Sequence, residues 1–221
     1  MSNIIEGLCD NALDLFYPAK CPFCKALVKR TSESVCSACR GEILELEPYR
    51  RTISDSVDCI AALPYQEKFR DAILYYKFRS VRYYDRAFAE ILAAQIESAF
   101  PVWDIISWVP VSSKRKKQRG YDQSELVCKK IARLFRKEPQ RVLTKYVHNP
   151  AQSGMASAKE RSENVKNVYK PYEAELFQNR SILLIDDILT TGSTLSECCR
   201  VLKNVGAGHV MCAVIAMAII E

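Results

Sequence analysis

The sequence predicts an α/β protein in which a parallel sheet is flanked by helices and preceded by a small cysteine-rich module. After residue 56, short β-branched apolar runs alternate with helical patterns, and parallel strands need such helical connections. Two Cys-x-x-Cys pairs lie within the first 50 residues and predict the module. The chain has 221 residues, enough for one domain and a small appendage. We therefore expect a module over residues 1–50 and an α/β domain over residues 51–221.

The first part of the chain is predicted to contain two helices with a cysteine-bearing segment between them. In chain order its predicted elements are a helix over 3–16, a cysteine-bearing segment over 20–40, a short helix through Ile43 and Leu46, and a linker over 48–55. The first helix is predicted from apolar residues at helical spacing and ends before Pro18. The linker is predicted because a proline opens a charged stretch there.

The second part contains the alternating elements. Predicted strands cover residues 57–63, 104–109, 141–147, 182–185 and 210–219. Predicted helices cover residues 69–78, 88–96, 124–135 and 194–205. Between them, residues 148–167 form a long polar stretch with weak periodicity. This alternation predicts βαβ units and therefore the parallel sheet.

Composition excludes several classes of protein. With 48% hydrophobic and 26% charged residues, the chain is neither a disordered tail nor a fibre nor a coiled coil. Only two histidines are present, which excludes a His-rich metal site. The net charge of +6 is unevenly distributed: residues 111–148 carry twelve lysines and arginines against three acidic residues, a local net charge of +9. Such a basic block is expected to face an anion.

The compartment is expected to be the cytoplasm, with reduced thiols. The first 17 residues lack the basic start of a secretory signal. The longest apolar run, residues 210–220, has 11 residues and is too short to span a bilayer, so we expect no membrane insertion. Six of the ten cysteines are expected to be inert, buried thiols. These six are Cys9, Cys59, Cys128, Cys198, Cys199 and Cys212.

The remaining four cysteines form the pairs Cys21/Cys24 and Cys36/Cys39, separated by eleven residues. Each pair places two thiolates on one tight turn, and two turns supply the four ligands of a tetrahedral zinc ion. A redox role needs only one pair, and redox pairs of the thioredoxin type sit within βαβ folds. Four cysteine ligands leave no position for a catalytic water, so we predict a structural Zn²⁺ site.

The stretch from Ser181 to Thr194 is the most informative part of the sequence. An apolar strand ends in Asp186 and Asp187, and a hydroxyl-rich turn around Gly192 then leads into a helix. The turn and the helix N-terminus offer free backbone N–H groups, which suit a phosphate. The carboxylates only accept hydrogen bonds, so they are expected to bind sugar hydroxyls, directly or through hydrated Mg²⁺. The predicted ligand is a ribose 5-phosphate.

Other interpretations of this stretch explain less of it. A flavin-type phosphate loop usually follows the first strand and lacks the carboxylate pair, and a Walker loop needs a Gly-Lys that is absent here. A strand followed by a capped helix accounts for Ser193 or Thr194 but not for the two carboxylates.

Two further segments are candidates for the same site. Five cations lie between Lys114 and Arg119, directly after a predicted strand; some are expected to be solvated, whereas Arg115 and Arg119 suit a diphosphate. The polar segment 149–164, which includes Arg161, is either a lid over the reaction or a floppy connection, and the sequence leaves both open.

The stretch 181–194 resembles the phosphoribosyl-diphosphate-binding signature of type I phosphoribosyltransferases: an apolar strand, Asp-Asp, then Thr-Thr-Gly-Ser-Thr. The resemblance implies a type I phosphoribosyltransferase-like sheet. It also implies that Asp186 and Asp187 hold the ribose hydroxyls. The residues implied to hold the 5-phosphate are Thr190, Thr191, Gly192, Ser193 and Thr194.

Nearly the whole chain is similar to the ComF family of competence proteins. The residues that carry this similarity are the double Cys-x-x-Cys, Tyr65, 74–78, Val109-Pro110, Arg115, 119–124, Gln152, Arg161, Asn164-Val165 and the Asp-Asp turn. Tyr121-Asp122 departs slightly, since the family commonly has an aromatic residue followed by Asn. The resemblance implies a role in DNA uptake during natural transformation or in the use of DNA as a nutrient, with other competence proteins as partners.

Two functional hypotheses follow. In the first, the protein is a phosphoribosyltransferase: Asp186 and Asp187 hold the sugar and Mg²⁺, Arg115 and Arg119 hold the departing diphosphate, and Lys77 and Arg161 help to close the site. In the second, the protein is a non-catalytic module that binds single-stranded DNA. Its basic block would be interleaved with the aromatic residues Tyr121, Phe135 and Tyr146. A regulator that senses phosphoribosyl diphosphate has less support, because no separate DNA-reading domain is evident. The sequence does not identify the acceptor.

Overall fold

The structure is a computed structural model that describes residues 18–29, 32–54, 57–79, 81, 83–100, 102–147 and 167–219. The expected helix over 3–16, Cys9, Arg161 and the polar segment 149–164 lie outside these ranges. No helix within the described ranges is long and apolar enough to cross a membrane.

The expected parallel sheet is confirmed. Its strand order is β1-β2-β7-β6-β3, and every neighbouring pair is parallel except β1–β2. The strands are β1 (Tyr49–Ile53), β2 (Val57–Pro64), β3 (Ile105–Trp108), β6 (Ser181–Leu189) and β7 (His209–Met217). The apolar runs of β6 and β7 are buried on both faces, as expected of strands at the centre of a parallel sheet.

Helices cover both faces of this sheet. They are α1 (Ser37–Leu44), α2 (Glu67–Phe78), α3 (Tyr84–Ala99), α4 (Ser113–Arg119), α5 (Gln123–Leu134) and α6 (Ser193–Asn204). Successive side chains of β6 point to opposite faces, so Leu183 packs with α2, α3 and α5, whereas Leu184 packs with α6. The two resulting cores hold β6 rigidly between them, and the carboxyl end of β6 carries Asp186 and Asp187.

Residues 49–53 form an edge strand rather than the predicted linker. β1 pairs antiparallel with β2, with Ile53 opposite Val57. Exposure alternates along the strand, so its even positions are solvated and Ile53 is buried. Arginines are tolerated in an edge strand, because one side of it faces water. This is why the charged composition concealed a strand.

Two other predictions needed correction in detail. Residues 113–119, to which no helix was assigned, form helix α4; Ser112 caps its first turn, and Gly120 ends it in a left-handed conformation with φ +79°. The strand predicted over 141–147 is shorter, β4 (Leu143–Lys145). It pairs antiparallel with β5 (Tyr169–Pro171) in a separate two-stranded sheet instead of joining the main one.

The cysteine-bearing segment packs onto the α/β core through Phe23. This side chain is buried, and its ring lies 5.2 Å from the ring of Phe69 in α2 and 6.2 Å from that of Phe88 in α3. Both contacts have edge-to-face geometry, which favours aromatic pairs. Lys25 adds a hydrogen bond to the Tyr84 hydroxyl of α3. The module and the helices next to it therefore share one hydrophobic core.

Candidate functional site

The two carboxylates at the end of β6 have different partners. Asp186 accepts hydrogen bonds from the Ser124 hydroxyl at 3.0 Å and from the backbone N–H of Asp187 at 2.9 Å. Asp187 forms a salt bridge with Lys77 of α2, with 2.9 Å between Nζ and Oδ2. Both side chains of that salt bridge are largely shielded from solvent. Side chains from α2, α5 and β6 therefore meet at this point.

The carboxyl group of Asp186 is held in an unusual electrostatic state. Burial, reinforced by the adjacent negative charge of Asp187, raises its pKa to about 7. Lys77 and the Ser124 hydroxyl act in the opposite direction. Near neutral pH the Asp186 carboxyl is therefore partly protonated, and a cation brought next to it favours its ionised form.

The turn after β6 is shaped by Gly192. This residue has φ +82° and stands at the N-cap of α6, so no side chain caps the helix. The space beside its Cα is also filled, since a Cβ there would meet Cγ2 of Ile53 at 3.3 Å. Thr191 and Ser193 flank the glycine, with their hydroxyl oxygens 3.0 Å apart. The turn thus gathers hydroxyl groups at the N-terminus of a twelve-residue helix.

Within the basic block, the cations differ in their surroundings. Arg115 is half-buried, and burial together with the charge of Arg119 lowers its pKa. Arg119 donates a hydrogen bond to Gln123, and its guanidinium lies 5.1 Å from the ring centre of Phe78. By contrast, the three lysines between residues 114 and 119 are solvated, as expected for part of the run. They are Lys114, Lys116 and Lys117.

A buried network fixes the basic block against the end of α2. The hydroxyl of Tyr121 donates to the carbonyl of Tyr76 at 2.6 Å, and the hydroxyl of Tyr76 donates to the carbonyl of Gln123 at 3.3 Å. The Gln123 amide in turn donates to the carbonyl of Lys77. Through these bonds, Arg119 and Lys77 occupy a fixed position relative to each other.

The structure thus brings together most of the residues proposed for the site. Hydrogen bonds and a salt bridge link Asp186 with Ser124 and Asp187 with Lys77, and Arg115 lies within electrostatic range of Asp187. Two of the aromatic residues expected to stack on DNA do not suit that role. Tyr121 is buried, and Phe135 packs against Trp103 with ring centres 5.5 Å apart; only Tyr146 of the three is exposed.

Sequence reasoning missed two basic residues of this region. Arg51 in β1 donates hydrogen bonds to the carbonyl oxygens of Thr190 and Ala218, at 2.7 and 2.6 Å. Lys145 in β4 is buried, and Arg115 and Asp186 lie within its electrostatic range. Strand alternation with the apolar Leu143 was the signal that placed Lys145 on a buried face.

The four paired cysteines form one cluster, in which the Sγ atoms of Cys21, Cys24, Cys36 and Cys39 all lie within 4.8 Å of one another. The first pair lies in a tight hairpin closed by the Lys20–Leu27 bridge, and the second starts α1. Four thiol ligands at this spacing fit a tetrahedral Zn²⁺ ion with Zn–S bonds of about 2.3 Å. The cluster therefore supports a structural zinc site.

Comparison with known proteins agrees with both parts of the fold. The model of the phosphoribosyl transferase domain matches residues 121–219, and that of the double zinc ribbon domain matches residues 12–50. The chain is 26% identical to competence protein F of Haemophilus influenzae strain Rd, an alignment that covers 88% of this chain and 95% of the relative.

Two further relatives extend this pattern. DNA utilization protein YhgH of Escherichia coli strain K12 is 28% identical over 92% of each chain. Competence protein ComFC of Bacillus subtilis strain 168 is 23% identical over 84% of this chain and 78% of its own length.

Fold, turn and cysteine cluster together define a protein of the type I phosphoribosyltransferase fold with an N-terminal zinc ribbon. The alignments with the first two relatives run across both of these parts and cover nearly the whole length of each chain. Over most of its length the chain is thus similar to competence and DNA-utilization proteins.

Proposed function

We propose that the site binds phosphoribosyl diphosphate together with Mg²⁺ and transfers its phosphoribosyl group to an acceptor during DNA uptake or utilisation. One observation carries the proposal: paired carboxylates lie near the carboxyl end of a parallel strand, two residues before the turn that opens a helix. Ligands of open α/β sheets bind at this edge, outside the carboxyl ends of the strands. The competence-related names of the relatives support the cellular context.

Each part of the ligand has a counterpart in the chain. The 5-phosphate is assigned to the N-terminus of α6 and the turn over residues 190–194, where N–H groups and hydroxyls converge. Asp186 and Asp187 are assigned to the ribose hydroxyls. The diphosphate is assigned to Arg115 and Arg119, since guanidinium groups bind phosphate in a planar, two-pronged geometry. Mg²⁺, when bound, neutralises part of the diphosphate charge.

The reaction requires positioning and charge stabilisation from the chain. The bond between C1 and the diphosphate oxygen breaks, and the diphosphate leaves with the electron pair. The acceptor nucleophile forms the new bond to C1 and loses its proton to the surrounding water. Asp186 and Asp187 stabilise the positive charge that develops on the ribose, while Arg115 and Arg119 stabilise the diphosphate. Lys77 holds Asp187 in place, and Arg161 remains a proposed contributor outside the described residues.

Calorimetry with the paired variant Asp186→Asn and Asp187→Asn tests this proposal. We expect the wild type to bind phosphoribosyl diphosphate with Mg²⁺ and the variant to lose at least tenfold in affinity. The matched control replaces two exposed carboxylates, Asp58→Asn and Asp71→Asn, and should bind normally. Unchanged affinity in the Asp186/Asp187 variant contradicts the proposal. Diphosphate release with candidate acceptors then separates catalysis from binding alone.

A second candidate function, binding of single-stranded DNA, is favoured by exposed pairs of aromatic and cationic side chains. In the β4–β5 hairpin, the Lys170 ammonium lies 4.3 Å from the ring centre of Tyr146, and Arg141 lies 4.8 Å from that of Tyr172. Exposed aromatic rings stack on bases, and the neighbouring cations attract the phosphates.

Fluorescence anisotropy with a labelled oligonucleotide measures this activity at low and high salt. We expect affinity to fall steeply with salt and to weaken further in Tyr146→Ala, whereas Leu176→Ala, another exposed apolar residue, serves as the control. Absence of binding at low salt removes this candidate without affecting the first.

A further inference from the structure

The side chain of Lys145 in β4 points towards the protein interior. β4 has three residues, and its alternation places Lys145 on the same face as Leu143, away from the half-exposed Thr144 between them. Only 9% of Lys145 is exposed. Its cross-strand partner in β5 is Tyr169, which is also buried, and the ammonium lies 5.1 Å from the centre of that ring. The lysine therefore points inward, whereas Lys170 on the neighbouring strand is exposed.

The ammonium of Lys145 has no anionic partner at hydrogen-bonding distance. Within the described ranges it forms neither a hydrogen bond nor a salt bridge. A lysine whose side chain is largely buried and whose ammonium lacks such a partner is costly, and proteins rarely keep one unless it has a function. A hydrophobic residue would pack at this position at lower cost. The position of the charge therefore indicates an anion that is bound during function.

The groups around Lys145 identify where that anion lies. Among the described residues, Tyr169 of β5 faces the ammonium across the strand pair, and Arg115 of α4, Asp186 of β6 and Cys198 of α6 lie within its electrostatic range. Burial and the charge of Arg115 lower the pKa of Lys145 to about 8. Two cations that repel each other beside a carboxylate form a site that a multiply charged anion stabilises. This pair stands next to the end of β6, where the proposed sugar site begins.

We propose that Lys145 and Arg115 together bind the diphosphate of phosphoribosyl diphosphate. The inference rests on the proposed function and adds to it a residue from the β4–β5 hairpin. The diphosphate, rather than the 5-phosphate, is the ligand because Arg115 belongs to the basic block, whereas the 5-phosphate is assigned to the turn before α6. The diphosphate group of phosphoribosyl diphosphate carries more than one negative charge, so it matches more than one cation. In the proposed complex, the largely buried side chain of Lys145 contacts the departing diphosphate.

Binding measurements with Lys145→Met, which keeps the length of the side chain but removes its charge, test the inference. We expect at least a tenfold loss of affinity for inorganic diphosphate and for phosphoribosyl diphosphate, with affinity for ribose 5-phosphate changed less than twofold. The variant should also melt at a higher temperature than the wild type, since an unpaired buried charge is removed. Lys129→Met, at an exposed position on α5, is the control and should change none of these.

Proton linkage provides a second readout. At pH 8 the free Lys145 is partly deprotonated, so diphosphate binding should take up a proton, measured by calorimetry in buffers of different ionisation enthalpy. Lys145→Arg should keep most of the affinity but lose this proton uptake, because arginine stays protonated. A merely structural role for Lys145 predicts a lower melting temperature in Lys145→Met and no selective loss for diphosphate.

The outcomes separate the two proposals. If the wild type binds phosphoribosyl diphosphate and Lys145→Met binds it equally well, the inference about Lys145 is wrong and the proposed function stands. If Lys145→Met loses affinity equally for ribose 5-phosphate and for diphosphate, the inference about Lys145 is also wrong. The lysine then contributes to binding of the 5-phosphate or to folding. If the wild type binds neither diphosphate nor phosphoribosyl diphosphate, both proposals fail.

Discussion

The guanidinium of Arg51 donates a hydrogen bond to the carbonyl oxygen of Thr190 at 2.7 Å, joining residues that lie 139 positions apart. A second bond from the same side chain reaches the carbonyl of Ala218, just after β7. Arg51 thereby ties the edge strand β1 to the turn after β6 and to the end of β7. A carbonyl oxygen repels a phosphate group. By binding the Thr190 carbonyl, Arg51 keeps this oxygen at a fixed position in the turn. The conformation of the proposed phosphate turn thus depends on a strand outside it.

Arg51→Met is expected to loosen the turn. Loss of two charge-assisted hydrogen bonds should lower the free energy of unfolding by about 2 kcal/mol. It should also weaken binding of ribose 5-phosphate, because the N–H groups of the turn are no longer held in place. Urea unfolding and calorimetry measure the two effects. Arg50→Met is the control, since Arg50 is exposed in the same strand; equal effects from both variants contradict the argument.

Removal of zinc is expected to destabilise the α/β core as well as the cysteine module. Because Phe23 sits between Phe69 and Phe88, an unfolded module leaves a gap beside α2 and α3. A strong chelator should therefore lower the melting temperature of the whole chain, followed by circular dichroism. The zinc content, measured by atomic emission, should fall in step.

Phe23→Ala tests the same packing without touching the ligands. Deleting this buried ring should lower the free energy of unfolding by about 3 to 5 kcal/mol while zinc remains bound. Leu27→Ala, at an exposed position in the same hairpin, should change it by less than about 0.5 kcal/mol. If Phe23→Ala changes the free energy of unfolding as little as Leu27→Ala does, the module and the helices next to it do not share one core.

Ionisation of the Asp186 carboxyl is expected to lower the free energy of unfolding near neutral pH. Its pKa is raised to about 7 in the folded chain, from an ordinary value near 3.8. The folded state therefore holds its proton over a range in which the unfolded state has lost it, so stability falls as pH rises from about 4 to 7. Well above pH 7, Asp186 is ionised in both the folded and the unfolded state, so the free energy of unfolding falls no further.

Asp186→Asn should remove this loss. At pH 8 the variant should be more stable than the wild type by about 2 to 4 kcal/mol, in urea unfolding followed by fluorescence. The advantage should shrink towards pH 4, where both side chains are neutral. A variant less stable than the wild type at pH 8 contradicts the raised pKa. Higher stability combined with lost ligand binding is the pattern expected of a functional carboxylate.

The sequence predicted those features that depend on neighbours along the chain. The end of β6, its carboxylates, Gly192 and the start of α6 are contiguous, so strand, turn and helix preferences act together there. The cysteine pairs were equally local. Their partners from elsewhere were harder to predict, since the residues that contact Asp186 and Asp187 lie more than 60 positions away.

Arg51 and Lys145 were missed for different physical reasons. Arg51 lies in an edge strand, where exposure to water allows a charged composition that is typical of a linker. Lys145 alternates with the apolar Leu143, but a strand of three residues offers only this one pair, and a lysine at its end is ordinarily expected to be exposed. In both cases tertiary contacts, rather than local preference, decide the structure.

Lys77 is expected to set the pH at which the carboxylates accept a ligand. Its ammonium lies 2.9 Å from Asp187 and also lowers the pKa of Asp186, which would otherwise be higher still. Lys77→Met should therefore raise that pKa, and Mg²⁺-dependent binding of phosphoribosyl diphosphate should reach its midpoint at a higher pH than in the wild type. Arg79→Met removes a nearby exposed charge instead and should leave the midpoint within about 0.2 units of the wild type. Calorimetric titrations between pH 5.5 and 8.5 distinguish the cases, because a purely structural lysine predicts weaker binding at every pH with the midpoint unmoved.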